Sequence, residues 1–351
     1  MKFLKILGII IGIFVVLLAA AAIYLKGFLP DTGDPQDIKV EITPERVERG
    51  KYLANHVTLC IDCHSERDWT VFAGPMIPGI IGGGGERFPR EFGFPGTFVS
   101  KNITPHHLGN WTDGELLRAI TTGVNKQGEA LFPIMGYQRF GKMDKEDIYS
   151  IMAYIRSLPS VNKENPASEA DFPVNFLINT MPEAAQFTQM PDKNDKVKYG
   201  EYIANAAGCI ECHSQNEKGQ RIEGTEYGGG FEFTQPTGIA RSANITPDKE
   251  TGIGTWTEEM FVNKFKVYAD SSYVPRKLNP GEVNTPMPWM MYAGMKTGDL
   301  EALFAYLQTV KPIKNKVVHF EKHKLSSKYF FLDEGFAFIF VAIKILKYLN
   351  I

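Results

Sequence analysis

The sequence predicts an all-α protein in which one helical domain occurs twice behind an N-terminal transmembrane helix. Three observations lead to this prediction: an uncharged run of twenty residues near the N-terminus, two Cys-x-x-Cys-His motifs, and a set of shorter motifs that recurs about 150 positions later. Domains typically have about 100–150 residues. A chain of 351 residues therefore has room for an anchor and two domains.

The composition is that of ordinary globular protein. Hydrophobic residues make up 44% of the chain and charged residues 22%, which excludes intrinsic disorder and collagen-like repetition. The formal net charge is -2. Because a surface that binds nucleic acid normally shows a basic excess, we expect no nucleic-acid partner.

The N-terminal segment, residues 1–27, is predicted to be a transmembrane anchor. Lys2 and Lys5 precede the uncharged residues 6–25, which are enough to cross a hydrocarbon core of about 30 Å. A cleaved signal peptide is the alternative, since the alanines at 19–22 suit a cleavage site. Lysines before a span favour a cytoplasmic N-terminus. We therefore expect the remaining chain on the periplasmic side of a bacterial cytoplasmic (inner) membrane.

All four cysteines fall in two Cys-x-x-Cys-His motifs: Cys60, Cys63 and His64 in the first, and Cys209, Cys212 and His213 in the second. This spacing is typical of c-type haem attachment. Two thiols one helical turn apart can each form a thioether with one edge of a porphyrin, and the following imidazole then ligates the iron. The motifs predict two covalently bound haem c groups.

Three other uses of the cysteines are alternatives: disulfides, one zinc site, and a thioredoxin-like redox pair. Zinc ribbons separate their cysteine pairs by about 15–20 residues, whereas 145 residues lie between Cys63 and Cys209. A thioredoxin-like pair needs a βαβ setting, which the sequence does not suggest. Haem attachment is the favoured interpretation.

The two motifs belong to a longer internal repeat. Its members recur at offsets between 142 and 150: residues 49–55 and 199–205, the two Cys-x-x-Cys-His motifs, Asn-Ile-Thr-Pro at 102–105 and 244–247, and Trp-Thr at 111–112 and 256–257. The changes in offset fall in Gly- and Pro-rich stretches, where loops tolerate insertions. The repeat predicts a tandem duplication.

The register of the repeat predicts the second axial ligands of the two irons. Apolar positions at helical spacing mark the last helix of each half, at 148–155 and 300–307. Carried backwards without a gap, this offset of 152 superposes Met135 on Met287. We therefore expect His64/Met135 and His213/Met287 as axial pairs. Met290 and Met291 compete with Met287.

Helix boundaries have local signals. Thr43 followed by Pro44 predicts the start of the helix that leads into the first haem motif. Thr112 and Glu115 form a predicted capping box, and proline follows both last helices.

Each helix before a haem motif contains one glycine, Gly50 or Gly200, which costs about 1 kcal/mol in helix propensity. We interpret these glycines as sites of a close helix crossing, in which the terminal helix lays Tyr154 or Tyr306 over the glycine. Tolerated local weakness is the alternative.

This pattern resembles class I cytochrome c: a glycine-containing helix, a Cys-x-x-Cys-His motif, a downstream methionine and a closing helix with an aromatic residue. The second Asn-Ile-Thr-Pro with Trp256-Thr257, and Met287-Pro288-Trp289, are similar to cytochrome c subunits of membrane-bound alcohol and aldehyde dehydrogenases and related di-haem cytochromes. The resemblance covers residues 44–160 and 196–312, and it implies a dehydrogenase as redox partner.

The resulting prediction is a membrane-anchored di-haem cytochrome c of a respiratory chain. It would relay single electrons from a dehydrogenase or quinol-side donor, such as a quinol-oxidising complex, to an acceptor such as a terminal oxidase. We expect an electron carrier without catalytic residues, since two strong axial ligands leave no open iron site. The rival is a di-haem enzyme of peroxidase type with one open site.

Two further segments complete the predicted domain organisation. Residues 161–195 form a linker between cytochrome c domains at 44–160 and 196–312, and residues 313–351 form a C-terminal tail. The tail contains an apolar run from 336, interrupted by Lys344 and Lys347. This run predicts a membrane-interfacial helix, with burial against the haem domains as the alternative.

Overall fold

The computed structural model describes residues 2–322, so the apolar run expected near the C-terminus lies outside the described residues. Helices dominate the fold. They are α1 (Lys2–Gly27), α2 (Pro44–His56), α3 (Cys60–Cys63), α4 (Pro105–Leu108), α5 (Asp113–Thr122), α6 (Tyr137–Phe140), α7 (Lys145–Ser157), α8 (Val174–Leu177), α9 (Lys196–Ala207), α10 (Cys209–Cys212), α11 (Glu258–Lys266), α12 (Trp289–Ala293) and α13 (Thr297–Leu307). Turns of 3-10 helix cover Arg90–Phe92, Pro133–Met135, Ile178–Thr180 and Val267–Ala269.

Small antiparallel sheets are also present, so the prediction of a purely α fold was too narrow. The strands are β1 (Arg87–Phe88), β2 (Gly96–Val99), β3 (Glu169–Ala170), β4 (Asn216–Glu217), β5 (Gln220–Arg221), β6 (Glu232–Gln235), β7 (Gly238–Arg241) and β8 (Phe320–Lys322). They pair in the orders β1-β2-β3, β4-β5 and β6-β7-β8. Strands of two to four residues are too short to show the alternating pattern that reveals a strand in a sequence.

The two three-stranded sheets are built in the same way. A hairpin from the loop after each haem motif pairs with a strand that returns after the last helix of that half. Gly96 of β2 lies opposite Ala170 of β3, and Ala240 of β7 lies opposite Phe320 of β8. The chain after each last helix therefore closes the loops of its own half.

The N-terminal helix α1 projects from the protein. Among the described residues it is the one helix long and apolar enough to cross a membrane, a test that a signal sequence also passes. Its C-terminal end is fastened to the segment that contains α8. Lys26 Nζ donates to the carbonyl of Asn175 at 2.9 Å, and Asn179 Nδ2 donates to the carbonyl of Leu25 at 2.8 Å.

Each half is organised around one close helix pair, α2 with α7 and α9 with α13. A Cβ on Gly50 would lie 1.8 Å from the carbonyl oxygen of Ser150, and one on Gly200 would lie 1.9 Å from that of Ala302. In both halves the tyrosine Cβ, of Tyr154 or Tyr306, would be 2.9 Å away. The predicted close crossing is confirmed, and its reason is that the two backbones nearly touch.

The predicted caps are also confirmed. Thr43 Oγ1 accepts from the amide of Arg46 at 3.3 Å, with Pro44 in the first turn of α2. Both hydrogen bonds of the capping box between Thr112 and Glu115 are present at the start of α5.

The halves share one hydrophobic core and exchange hydrogen bonds across it. Tyr52, from α2, donates to Asp299 Oδ2 on α13 at 2.5 Å. Tyr202, from α9, donates to Asp147 Oδ2 on α7 at 2.6 Å. Because each half supplies a hydroxyl to a buried aspartate of the other, the contact between the halves is reciprocal.

Candidate haem-binding sites

Each Cys-x-x-Cys-His motif forms a short helical turn, α3 or α10. The turn follows a residue with left-handed backbone, Leu59 (φ 58°) in the first half and Gly208 (φ 71°) in the second. In both turns the histidine amide donates to the carbonyl of the first cysteine at 2.9 Å. None of the four cysteines takes part in a disulfide. The arrangement places two thiols one turn apart with an imidazole directly after them.

Both histidines are oriented by a backbone carbonyl. Nδ1 of His64 lies 2.7 Å from the carbonyl oxygen of Lys101, and Nδ1 of His213 lies 2.8 Å from that of Ala243. A carbonyl only accepts, so Nδ1 carries the proton and the Nε2 lone pair is left for a metal. Burial also lowers the pKa of both imidazoles. The carbonyl therefore fixes the tautomer, and burial favours the neutral form that ligates iron.

Glycine-rich loops hold the backbone of the same histidines, a feature that sequence reasoning missed. The amide of Gly84 donates to the carbonyl of His64, and the amide of Gly229 to that of His213, both at 2.8 Å. These glycines have φ of +68° and +71°. A Cβ would lie 2.5 Å or 2.4 Å from the carbonyl carbon of the residue that accepts from the histidine. The signal was the glycine run at 82–85 and again at 228–230.

The recurrent Asn-Ile-Thr-Pro segment positions those carbonyls. In each copy the asparagine Oδ1 accepts from the amide and the hydroxyl of the threonine two residues later, at 2.9 and 2.7 Å for Asn102 and at 3.0 and 2.7 Å for Asn244. Its Nδ2 donates to the segment after the last helix, to the carbonyl of Val161 at 2.8 Å or of Ile313 at 2.7 Å. The segment therefore ties the histidine acceptor to the end of each half.

The two methionines predicted as axial ligands occupy comparable surroundings. Met135 ends a 3-10 turn. Met287 lies two residues after Thr285, and its amide donates to the Thr285 hydroxyl at 3.2 Å. Both are half-buried and pack against the core. Met291 also packs against the core, and its carbonyl lies 2.9 Å from Nδ1 of His56. Met135 and Met287 stay the predicted sixth ligands, with Met290 and Met291 as alternatives in the second half.

The cysteines of both motifs share one cationic neighbour, Arg139. Burial raises the pKa of Cys63 and of Cys209 to about 12, while the charge of Arg139 acts in the opposite direction on both. For Cys60 and Cys212, too, burial raises the pKa of the thiol and the charge of Arg139 lowers it. The charge of one first-half guanidinium thus lowers the pKa of thiols in both motifs, against the effect of burial.

These residues suit covalently bound haem c. Each half offers two thiols and an imidazole with Nε2 available. The first half also has buried polar atoms, Tyr137 Oη and Arg139 Nε, that find no hydrogen-bond partner in the described part of the chain. Within residues 2–322 no group of three or more His, Cys, Asp or Glu side chains converges as a metal cluster. The alternative of one shared zinc site therefore has no donor set in this part of the chain.

Comparison with known proteins decides the family of the second half. Residues 197–311 match the family model named cytochrome c. The chain carries a cytochrome c domain. Such a domain implies covalently bound haem c.

Curated relatives extend this similarity along the chain. It is 27% identical over 236 residues to the cytochrome c subunit of alcohol dehydrogenase (quinone) from Gluconobacter oxydans, covering 63% of this chain and 46% of that one. It is 28% identical over 232 residues to the fructose dehydrogenase cytochrome subunit of Gluconobacter japonicus, covering 61% and 43%.

A third relative is shorter. The chain is 27% identical over 200 residues to a diheme cytochrome c-type protein of Cereibacter sphaeroides, covering 54% of this chain and 64% of that one. The chain spans about half the length of the first two relatives.

Proposed function

We propose that the protein is a membrane-anchored di-haem c-type cytochrome that relays single electrons between a dehydrogenase and a downstream acceptor. One observation carries the proposal: the motif inside the cytochrome c domain and the motif in the first half have the same histidine contacts. On this proposal residues 44–160 and 196–312 are tandem copies of one haem domain, and residues 161–195 link them.

Within each half the protein's own residues bind and orient. The cysteine pair would hold the haem edge, and the carbonyl after the glycine-rich loop fixes the imidazole plane. Haem, when bound, supplies the reversible one-electron change of its iron. The pairs His64/Met135 and His213/Met287 would complete both irons, and a filled sixth position favours electron transfer over peroxide chemistry.

Helix α1 would anchor the cytochrome in the bacterial cytoplasmic membrane, with the haem domains on the periplasmic side. Its uncharged stretch ends at Leu25, and Lys26 then contacts the body of the protein by its bond to Asn175 and by lying 5.0 Å from the ring centre of Phe176. Lysine and aromatic side chains are common where a spanning helix leaves the bilayer. The anchored body would therefore sit directly at the membrane surface.

A dehydrogenase is the partner that the relatives favour. Two of them are named as cytochrome subunits of alcohol and fructose dehydrogenases. On this proposal the chain carries electrons and does not bind the organic substrate, and a quinol-oxidising complex or a terminal oxidase are further candidate partners in a respiratory chain.

The test is a redox titration of the purified protein, produced together with haem maturation enzymes and followed by visible spectra. We expect two low-spin c-type haems, each with the charge-transfer band of methionine bound to ferric iron. Met135→Ala and Met287→Ala should each remove that band from one haem only. A high-spin haem in the native protein would favour the rival peroxidase, and an unchanged spectrum of Met287→Ala would move the second ligand to Met290 or Met291.

A further inference from the structure

Arg139 belongs to the first half but pairs with the haem motif of the second. It lies on α6, four residues after Met135. Its Nη1 forms an ion pair with Oε2 of Glu211, the residue between Cys209 and Cys212. Only 16% of the Arg139 side chain is exposed. A cation from one half is therefore buried against the attachment turn of the other.

The surrounding backbone leaves space for this side chain. A Cβ on Gly208, which precedes Cys209, would lie 2.7 Å from Arg139 Nη1, and one on Gly136 would lie 2.6 Å from it. Asn205 Nδ2 also donates to the carbonyl of Arg139 at 3.2 Å. Both the guanidinium and the backbone of Arg139 are thus held against the start of the second motif.

The charge of Arg139 is incompletely compensated. Its Nε is buried and finds no hydrogen-bond partner among residues 2–322, and burying a cation costs several kcal/mol unless its partners satisfy it. Glu211 compensates from one side, and on the other side the guanidinium lies against Gly136, the residue after Met135. A guanidinium stays charged at every physiological pH.

The first motif has a different counter-ion arrangement. Asp62, between Cys60 and Cys63, pairs with Arg67 of its own half, and both side chains are less than a tenth exposed. The acid of the first motif therefore has a local partner. The acid of the second motif is paired by a residue that follows the first half's predicted methionine ligand.

We propose that Arg139 is a cation shared by the two haem sites. Its charge favours the reduced state of both haems, and the effect is larger at the second haem. This inference rests on the proposed di-haem function. Reduction adds one electron, supplied by the donor, to an iron whose ferric form carries the extra positive charge. A fixed cation nearby opposes that extra charge, so it makes each haem easier to reduce. At the second site, loss of Arg139 would also leave Glu211 unpaired.

The experiment measures midpoint potentials in two single-haem backgrounds, Cys60→Ala/Cys63→Ala and Cys209→Ala/Cys212→Ala. Arg139→Gln should make the second haem about tenfold harder to reduce, a downward shift of about 59 mV for one electron. The midpoint potential of the first haem should also fall, by a smaller amount. Arg139→Lys keeps the charge and should recover most of both shifts. Arg67→Gln is the matched control, and it should lower the midpoint potential of the first haem alone.

Each outcome decides the proposal. Unchanged potentials in both backgrounds, or equal shifts for Arg139→Gln and Arg139→Lys, would overturn it. A shift of the midpoint potential at the second haem alone would mean that Arg139 acts only as the counter-ion of Glu211. The proposal that both haem sites share this cation would then be wrong. If Arg139→Gln does not fold, Glu211→Gln should raise the second potential, and an unchanged value would overturn the proposal. Failure of the unmodified protein to bind two haems would instead contradict the proposed function.

Discussion

The two halves hold corresponding buried aspartates by different means. Asp147 accepts two hydrogen bonds from Arg49, both at 2.8 Å, and a third from Tyr202. Asp299, 152 positions later, accepts from Tyr52 and, at 3.1 Å, from Tyr199, which stands where the first half has Arg49. None of the ion pairs within residues 2–322 includes Asp299. The two halves therefore share the geometry of the helix crossing, but they differ in how the charge of the buried aspartate is balanced.

The helix crossings are where the halves are most alike, so alanine there should have the largest and most equal effects. Gly50→Ala and Gly200→Ala each place a Cβ within 2 Å of a backbone oxygen. Each should lower the free energy of unfolding by about 3 kcal/mol or more. Gly298→Ala, where a Cβ meets nothing within 4 Å, is the control and should be nearly neutral. Denaturant unfolding measures all three variants. A nearly neutral Gly200→Ala together with a strongly destabilising Gly50→Ala would show that the two helix crossings are not alike.

The aspartates should show the difference between the halves. Asp147→Asn leaves the guanidinium of Arg49 without its carboxylate, at a cost of about 3 kcal/mol. Asp299→Asn still offers an oxygen to two tyrosine hydroxyls and should cost about 1 kcal/mol. Unfolding midpoints of the two variants compare them directly. Equal losses would mean that Arg49 contributes nothing specific to the first half.

The tyrosines that cross between the halves should each contribute less than the pairing of Asp147 with Arg49. Tyr52→Phe and Tyr202→Phe each remove one hydroxyl donor to a buried carboxylate, worth about 2 kcal/mol. If the halves form one cooperative unit, either change should shift a single unfolding transition followed by both helical signal and haem absorbance. Two separate transitions would contradict the reciprocal contact.

The smallest expected effect concerns His56, whose Nδ1 contacts a carbonyl of the other half. Burial lowers the pKa of His56 below its ordinary value. Below about pH 6.5 the unfolded chain therefore binds a proton that the folded state resists, so this residue should reduce stability as the pH falls. The loss cannot exceed about 1.4 kcal/mol per pH unit. In stability measured from pH 7 to pH 5, His56→Gln should flatten the acid-side decline, and an unchanged slope would exclude His56 as its source.

Local patterns made much of this architecture predictable. The caps and the thiol-imidazole spacing each depend on residues a few positions apart, and a single glycine inside a helix marked each helix crossing. The carbonyls that orient His64 and His213, the pairing of Arg139 with Glu211 and the exchanged tyrosines join segments that are distant along the chain. The repeat indicated which segments correspond, but not which of them touch. The methionine ligands stay predictions, because a half-buried methionine near the core is common in any protein.

Each half should carry one covalently attached haem, and the intact mass of the denatured protein measures this directly. The unmodified chain should carry two haem masses. Cys60→Ala/Cys63→Ala and Cys209→Ala/Cys212→Ala should each carry one. A single haem on the unmodified chain, or two on either variant, would contradict the claim.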